Sequence, residues 1–324
     1  MNAEFAYLLG MITGKGAIIR ENTYTEIRIE IPHKNLIIEG QNANFSVRAS
    51  ITNIRDILEP LINTRIETNS LRGRTILSFR KDNRDYIIRE INRHFNHELV
   101  DCRDFRIPDE VFSSSEDIKR EFLRGIADVT GHIRSSNNYM CKREEACFGH
   151  RVYIEIPVNW FLVIDIANLL MELDIPVHTI DWAHPNMRDP HLRDYNSGRI
   201  NAWFREHQIK IFAEEFERVG FQVIHKMHAL ERLANTNREN WNIYVRNKIA
   251  SARNLKDQRM WESRLNNIES KHHRYYWESR ENPRRKPLHP MENDQRIPEV
   301  IRGRHFDSWR EIAEALGYPR NGRA

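Results

Sequence analysis

Cysteine is scarce in this 324-residue chain, which holds only Cys102, Cys141 and Cys147. The three share no metal-ligand spacing and form no even set, so a disulfide framework is excluded and a reducing, intracellular setting is expected. Long apolar runs are missing too. No stretch approaches the roughly 18 consecutive apolar residues of a membrane helix. Met1-Asn2-Ala3-Glu4 puts no basic region ahead of an apolar core, so neither a signal peptide nor a membrane partner is expected. Strong charge of one sign is also lacking, because a net charge of +4 is too small to mark a nucleic-acid partner by itself.

What is present suits folded cores: 40% hydrophobic and 30% charged residues. The length accommodates two domains, or one duplicated pair plus an extension. Charge is uneven along the chain. From Val245 onward Lys and Arg exceed Asp and Glu by about seven, which leaves the remainder mildly acidic. Two stretches stand out, Leu8-Leu9-Gly10-Met11-Ile12-Thr13-Gly14-Lys15-Gly16 and Leu123-Arg124-Gly125-Ile126-Ala127-Asp128-Val129-Thr130-Gly131. Each ends an apolar helical pattern on a glycine and then runs into a strand-like segment. Their offset of about 115 residues is too long for a solenoid repeat and suits a duplicated domain. A glycine inside a helix costs about 1 kcal/mol relative to alanine, so it is kept where backbones approach closely. Gly10 and Gly14 lie four apart on one helical face, and that face is expected to press on a small-residue face with Gly125 and Ala127.

On these two nonapeptides, with Ile107-Pro108-Asp109-Glu110-Val111-Phe112 and Phe122-Leu123-Arg124-Gly125 as lead-in to the second, the sequence resembles the LAGLIDADG homing endonuclease family. The resemblance covers roughly residues 3–222 and is to a two-motif, single-chain type. It implies two closely paired helices whose C-terminal ends lie side by side. In the family an acid at the eighth motif position of each helix holds divalent metal. A metal-bound pair of this kind activates water and stabilises the leaving oxygen of a phosphodiester. Here the eighth positions are Lys15 and Thr130. A protonated lysine cannot ligate Mg²⁺, and one hydroxyl substitutes poorly for a carboxylate. Asp128 stands two residues earlier, about 200° around the helix, and points elsewhere. Lys15 is free to touch a phosphate or to neutralise charge where a metal would sit. No metal ligand is assigned, and Mg²⁺ is expected only if the chain cleaves DNA.

Periodicity gives the elements. A first helix spans 3–15, with Phe5, Leu8, Leu9 and Ile12 at helical spacing. Residues 26–31 alternate as a strand, and 44–49 alternate again as its hairpin partner. Residues 54–61 read as a helix weakened at Pro60. Strands follow at 64–68 and 75–80, then a helix at 83–95. Residues 97–112 read as a linker, and Ser113 with Glu116 as a capping box. The same order then returns: strands at 132–136 and 151–156, a helix at 160–173, strands at 177–182 and 207–212, and a helix at 213–219. Residues 184–204 read as a long inserted loop. Glu30-Ile31-Pro32 and Glu155-Ile156-Pro157 look alike but fall on different strands of the two repeats in this reading.

One face of each alternating strand is Ile or Val and must pack on the helices. The opposite face carries Arg28, Glu30, Arg48, Arg80, Arg134, Arg151, Tyr153, Glu155 and Lys210. The resemblance implies that such sheets form a concave saddle lying in the DNA major groove. There Arg pairs with guanine edges and Glu accepts from cytosine. Mixed-sign side chains suit base readout better than phosphate binding, which favours Lys and Arg alone.

Beyond residue 221 the composition changes. Residues 224–233 and 241–269 read as two helices, with Trp241, Tyr244, Ile249 and Trp261 as core. Residues 271–277 mix bases, histidines and aromatics, 281–298 is rich in Pro and charge, and 308–317 reads as a short amphipathic helix. The expected fold is α+β: two pseudo-symmetric αββαββα units at 1–96 and 113–221 with saddle-shaped antiparallel sheets, joined by the linker 97–112. A mainly helical, basic C-terminal extension occupies 222–324. The expected function is sequence-specific binding of double-stranded DNA by a monomer, with impaired or absent cleavage. An active Mg²⁺-dependent site-specific DNA endonuclease, an RNA-binding intron maturase and a protein-interaction scaffold are the alternatives.

Overall fold

The computed structural model describes residues 1–95, 100–135, 149–184 and 206–268, with isolated positions 197, 199, 311, 314 and 315. The first helix, α1 (Ala3–Lys15), starts where the Asn2 side chain accepts from the Phe5 amide, satisfying one orphan donor of the first turn. It feeds directly into β1 (Gly16–Arg20), which turns back as β2 (Tyr24–Pro32). After α2 (Ala43–Ile62) come β3 (Glu67–Leu71), β4 (Arg74–Asp82) and α3 (Tyr86–His94). A short α4 (Asp109–Phe112) leads to α5 (Glu116–Thr130), β5 (Gly131–Arg134) and β6 (Arg151–Pro157). Next are α6 (Trp160–Glu172), β7 (Thr179–His184), β8 (Glu206–Phe212) and α7 (Ala213–Phe216). Two helices of the extension follow, α8 (Ile224–Ala250) and α9 (Leu255–Glu262).

Each unit builds one four-stranded antiparallel sheet, in the orders β1-β2-β4-β3 and β5-β6-β8-β7. The registers correspond position by position. Gly16 pairs with Ile29 as Gly131 pairs with Ile154, and Pro32 faces Arg74 as Pro157 faces Glu206. The two Glu-Ile-Pro tripeptides are therefore equivalent ends of the second strand of each sheet, not members of different strands. Alternation puts Ile27, Ile29 and Ile31 of β2, and Val152, Ile154 and Ile156 of β6, on the buried side against the helices. That core is continuous through both units.

Helices α1 and α5 make the central contact. A Cβ on Gly10 would lie 2.0 Å from the Phe122 carbonyl oxygen, and one on Gly125 would lie 2.1 Å from that of Tyr7. Gly14 is less constrained, since its Cβ would meet Thr130 Cγ2 and Val129 Cγ2 at 3.1 Å, and Ala127 is fully buried. Each helix passes into its strand through an extended glycine, Gly16 and Gly131, where a Cβ would strike a carbonyl of the helix's own last turn at 2.5 Å. Glycine is required there for clearance.

Several expectations need correction. Residues 44–49 are helix, not strand. The residues of α2 that face inward are Ser46, Ser50, Ile51, Ile54, Leu58 and Ile62, at helical spacing, while Phe45 of the alternating set is 64% exposed. The first strand of the unit is β1, whose outward residues Ala17 and Ile19 are apolar and so hide its alternation. No capping box forms at Ser113. Helix α5 begins two residues later, behind Ser115, and Ser113 Oγ donates to the Asp109 carbonyl. Within the expected linker, residues 109–112 are helical. The extension's first helix does not stop near residue 234. It runs on to Ala250, with Asn237 buried inside it: its Oδ1 accepts from the His150 amide at 2.9 Å and its Nδ2 donates to the His150 carbonyl at 3.0 Å. Trp241, Tyr244, Ile249 and Trp261 do cluster, as a second small core with Val245, Leu265 and Ile268. The inserted loop, apart from 184, 197 and 199, and the segments at 271–277 and 281–298 lie outside the described residues. In the tail, Ala315 packs against the main core.

The extension is anchored under α5. Lys226 is fully buried, and its Nζ donates to the carbonyls of Ala127, Asp128 and Gly131 at 2.9, 3.2 and 2.8 Å. Burial pushes this ammonium down to about 8, opposed by Asp128, whose Oδ1 is 3.8 Å away. Asp128 does point away from the helix ends. Its Oδ2 accepts from the Tyr7 hydroxyl at 2.8 Å and from the Gln222 and Val223 amides at 3.0 and 3.3 Å.

Candidate nucleic-acid interface

The outward face of the first sheet is open and polar. It is formed by Tyr24, Glu26, Arg28 and Glu30 of β2 with Arg74, Ser78 and Arg80 of β4, and its edge by Glu67 and Asn69 of β3. Glu26 is the buried member. Its Oε1 accepts from Arg28 Nε at 2.6 Å and its Oε2 from Arg80 Nε at 3.0 Å. The Arg28 hydrogen bond, assisted by that of Arg80, outweighs burial and holds the Glu26 carboxyl below its ordinary range. Arg74 NH1 reaches Glu30 Oε2 at 2.9 Å. Arg28, Glu30 and Arg80 thus share one exposed surface. Arg48 does not join them. It lies on α2, on the helix side of the sheet, lining a cleft of about 420 Å³ with His33, Thr68, Ser70 and Thr75.

The corresponding face of the second sheet is closed. Its positions are His132 and Arg134 of β5, Arg151, Tyr153 and Glu155 of β6, and Glu206, Gln208, Lys210 and Phe212 of β8. Tyr153 is buried at its centre. The His132 ring stacks on it at 5.0 Å, while Arg134 and Lys210 lie 4.5 and 5.6 Å from its centroid. Arg151 sits over Phe212 at 5.1 Å. Cations on aromatic faces gain from the ring quadrupole. Glu155 was expected on a solvent-facing surface and is instead 0% exposed as a side chain. It accepts from Gln208 Nε2 at 2.9 Å and lies 3.2 Å from Lys34 Nζ. The strand face was right; its burial has no signature in alternation.

Where the paired helices end, this cluster continues. Lys34, carried by the 3-10 turn His33–Asn35 after β2, donates to Glu206 Oε2 at 2.5 Å. Lys15 Nζ stands 4.0 Å from Glu206 Oε1. Burial works against the Lys34 ammonium, but Glu155 and Glu206 together outweigh it and hold its pKa above the ordinary lysine value. Beside it, Asn35 Nδ2 donates to the Val129 carbonyl at 3.1 Å. Thr130 is buried, and its hydroxyl donates back to the Ile126 carbonyl at 2.7 Å. Two lysines and two glutamates thus form a compensated set at the helix ends. Sequence reading missed Lys34, Glu206, Asn35 and Glu26, because three of them belong to no motif and Glu26 shares its alternation with its neighbours.

These residues do not fit a divalent metal. The motif positions offer an ammonium and a hydroxyl already committed to a carbonyl, and the two nearby carboxylates are matched by lysines. Among the described residues no group of three or more His, Cys, Asp or Glu is placed to hold a metal ion. No helix among them is long and apolar enough to cross a membrane.

The architecture is α+β with two antiparallel sheets flanking a glycine-paired helix couple, and in this the chain resembles the LAGLIDADG homing endonucleases. No family model and no curated protein matches the chain. Among solved structures it is similar to I-DmoI in complex with DNA and Mn, at 15% identity and a TM-score of 0.35, over 69% of this chain and 96% of that one. It is similar also to the LAGLIDADG meganuclease I-AabMI bound to uncleaved DNA, at 12% identity and a TM-score of 0.35, over 81% of this chain and 98% of that one. A third is the I-LtrWI LAGLIDADG homing endonuclease bound to target DNA, at 9% identity and a TM-score of 0.32, over 82% and 99%. Identities this low carry no functional weight of their own.

Proposed function

We propose that the chain binds double-stranded DNA sequence-specifically, as a monomer, and does not cleave it by a two-carboxylate, metal-dependent route. The observation that carries the reading is the open face of the first sheet. It presents Arg28, Arg74 and Arg80 together with Glu26 and Glu30. The exposed arginines supply donors and the exposed Glu30 an acceptor for base edges in a major groove, which admits a two-stranded ribbon, while the buried Glu26 holds Arg28 and Arg80 in place. The absence of cleavage rests on Lys15 and Thr130 at the helix ends and on the lysines that match Glu155 and Glu206.

The test is selection of bound duplexes from a random pool, followed by incubation of the enriched site with protein and Mg²⁺ or Mn²⁺. Enrichment of a defined site, salt-dependent and uncut, is the expected result. Cleavage within it, abolished by EDTA, would establish the endonuclease alternative. Preference for structured RNA would transfer the reading to a maturase, and no salt-dependent nucleic-acid affinity would leave a protein scaffold.

A further inference from the structure

We infer that Glu26, Arg28 and Arg80 form a preset reader of two guanines, confined to one half of the DNA site. The inference rests on the DNA-binding reading and adds what the open sheet selects.

The geometry is specific to these three side chains. Glu26 is 6% exposed as a side chain and uses one oxygen for each arginine, while Arg28 and Arg80 remain 47% and 59% exposed. Both arginines are gripped by Nε alone. Among the described residues no other hydrogen bond or ion pair engages their terminal nitrogens. Each guanidinium therefore keeps its NH1–NH2 edge, the edge that pairs with guanine O6 and N7 in one plane. Arg80 is steadied further by the Tyr24 ring, 5.7 Å from its centroid. Arg28 pairs across the sheet with Ala17 on one side and Ser78 on the other, so small side chains flank it and leave its approach clear.

The spacing limits what can be read. Arg80 faces Glu26, and Arg28 faces Ser78, so the two arginines are diagonal neighbours across β2 and β4. Such positions are about 7–8 Å apart, which is roughly two base steps at about 3.4 Å each. Two guanines within about two steps of one another, on the same or opposite strands, match that separation. Among the described residues, the matching positions of the second sheet hold no equivalent trio. Register places Arg151 where the first has Glu26, Tyr153 where it has Arg28, and Phe212 where it has Arg80. A preset arginine also loses less freedom on binding than a mobile one, so holding the pair in place favours discrimination.

The full chain is carried through duplex selection beside Arg28→Lys, Arg80→Lys and Glu26→Gln, with thermal melting to verify that each variant folds. The expected wild-type site holds one two-guanine element, on one side only. Each lysine variant relaxes one guanine, a different one, by about tenfold or more, because an ammonium cannot make the planar double contact. Glu26→Gln relaxes both, and its affinity for unrelated duplex rises because the face loses a negative charge. That opposition of falling discrimination and rising affinity is not the signature of a residue that merely supports the sheet. A selected site without paired guanines overturns the inference. So do arginine variants that weaken all sequences alike with base preference unchanged; in both cases DNA binding itself stands. Failure to enrich any duplex removes both together.

Discussion

Glu30 and Glu155 occupy the same register position, in the same tripeptide, at the same end of equivalent strands. One is 41% exposed beside Arg74, and the other is sealed among Gln208, Lys34 and His132. The difference lies in their neighbours. Where the first sheet has Ile76 and Arg74 across from this corner, the second has Gln208 and Glu206. A second acid there demands a cation, and Lys34 supplies it from the other unit. The comparison teaches that a tripeptide fixes a strand's direction and ending, while the environment of its acid is set by residues far away in sequence.

The comparison can be broken most severely at Lys34. Lys34→Met would take from Glu155 and Glu206 the lysine they share, and loss of one partner of a buried pair costs about 3–5 kcal/mol. Chemical denaturation should show it directly, and an unchanged midpoint would mean the cluster is solvated. Next in size is Gly125→Ala, which places a methyl against the Tyr7 carbonyl and separates the helices that carry both sheets. Overpacking against backbone should cost about 3 kcal/mol, seen as a lowered melting temperature.

pH separates the two corners by opposite edges. Lys34 has a folded-state pKa above the ordinary 10.5, so its stabilisation is complete below that value and is lost as pH rises through the folded pKa. The Lys34→Met deficit should therefore narrow only in strong alkali. Glu26 lies below the ordinary 4.5, so its stabilisation is present above that value and is lost as pH falls through the depressed one. A Glu26→Gln deficit, under about 1 kcal/mol because its arginines are half exposed, should close in acid. Melting curves against pH for both variants measure this, and parallel curves would contradict it. The smallest effect belongs to Arg74→Met. Its pair with Glu30 is exposed on both sides, and stability should change by less than about 0.5 kcal/mol.

Much of the architecture was legible because it follows from backbone constraints. Gly10 and Gly125 mark where two helices touch, and the Ile triplets of β2 mark a strand packed on one side. The errors came where a pattern has two physical causes. Phe45, Val47 and Ala49 alternate by chance on a helix whose inward face is carried by Ser46 and Ser50. β1 is too short and apolar to show a period. The Asn-rich stretch of α8 reads as a helix break until Asn237 is seen gripping the His150 peptide. Of the candidate interface, Arg28, Glu30 and Arg80 follow from alternation alone. The sealing of Glu155 and the gripping role of Glu26 depend on cross-strand partners, which no single-sequence period encodes.

The Lys226 ammonium, with its three carbonyl partners at the end of α5, bears on how this protein can be recombined. Residues 221–226 act as the plug of the second motif helix as well as the start of the extension. A chimera that exchanges the second unit at its last strand would leave that helix end uncapped and Asp128 without the amides of Gln222 and Val223. The workable seam lies beyond both the plug and Asn237, at the end of α8 after Val245, so the unit that can be transplanted is longer than the repeat that defines it.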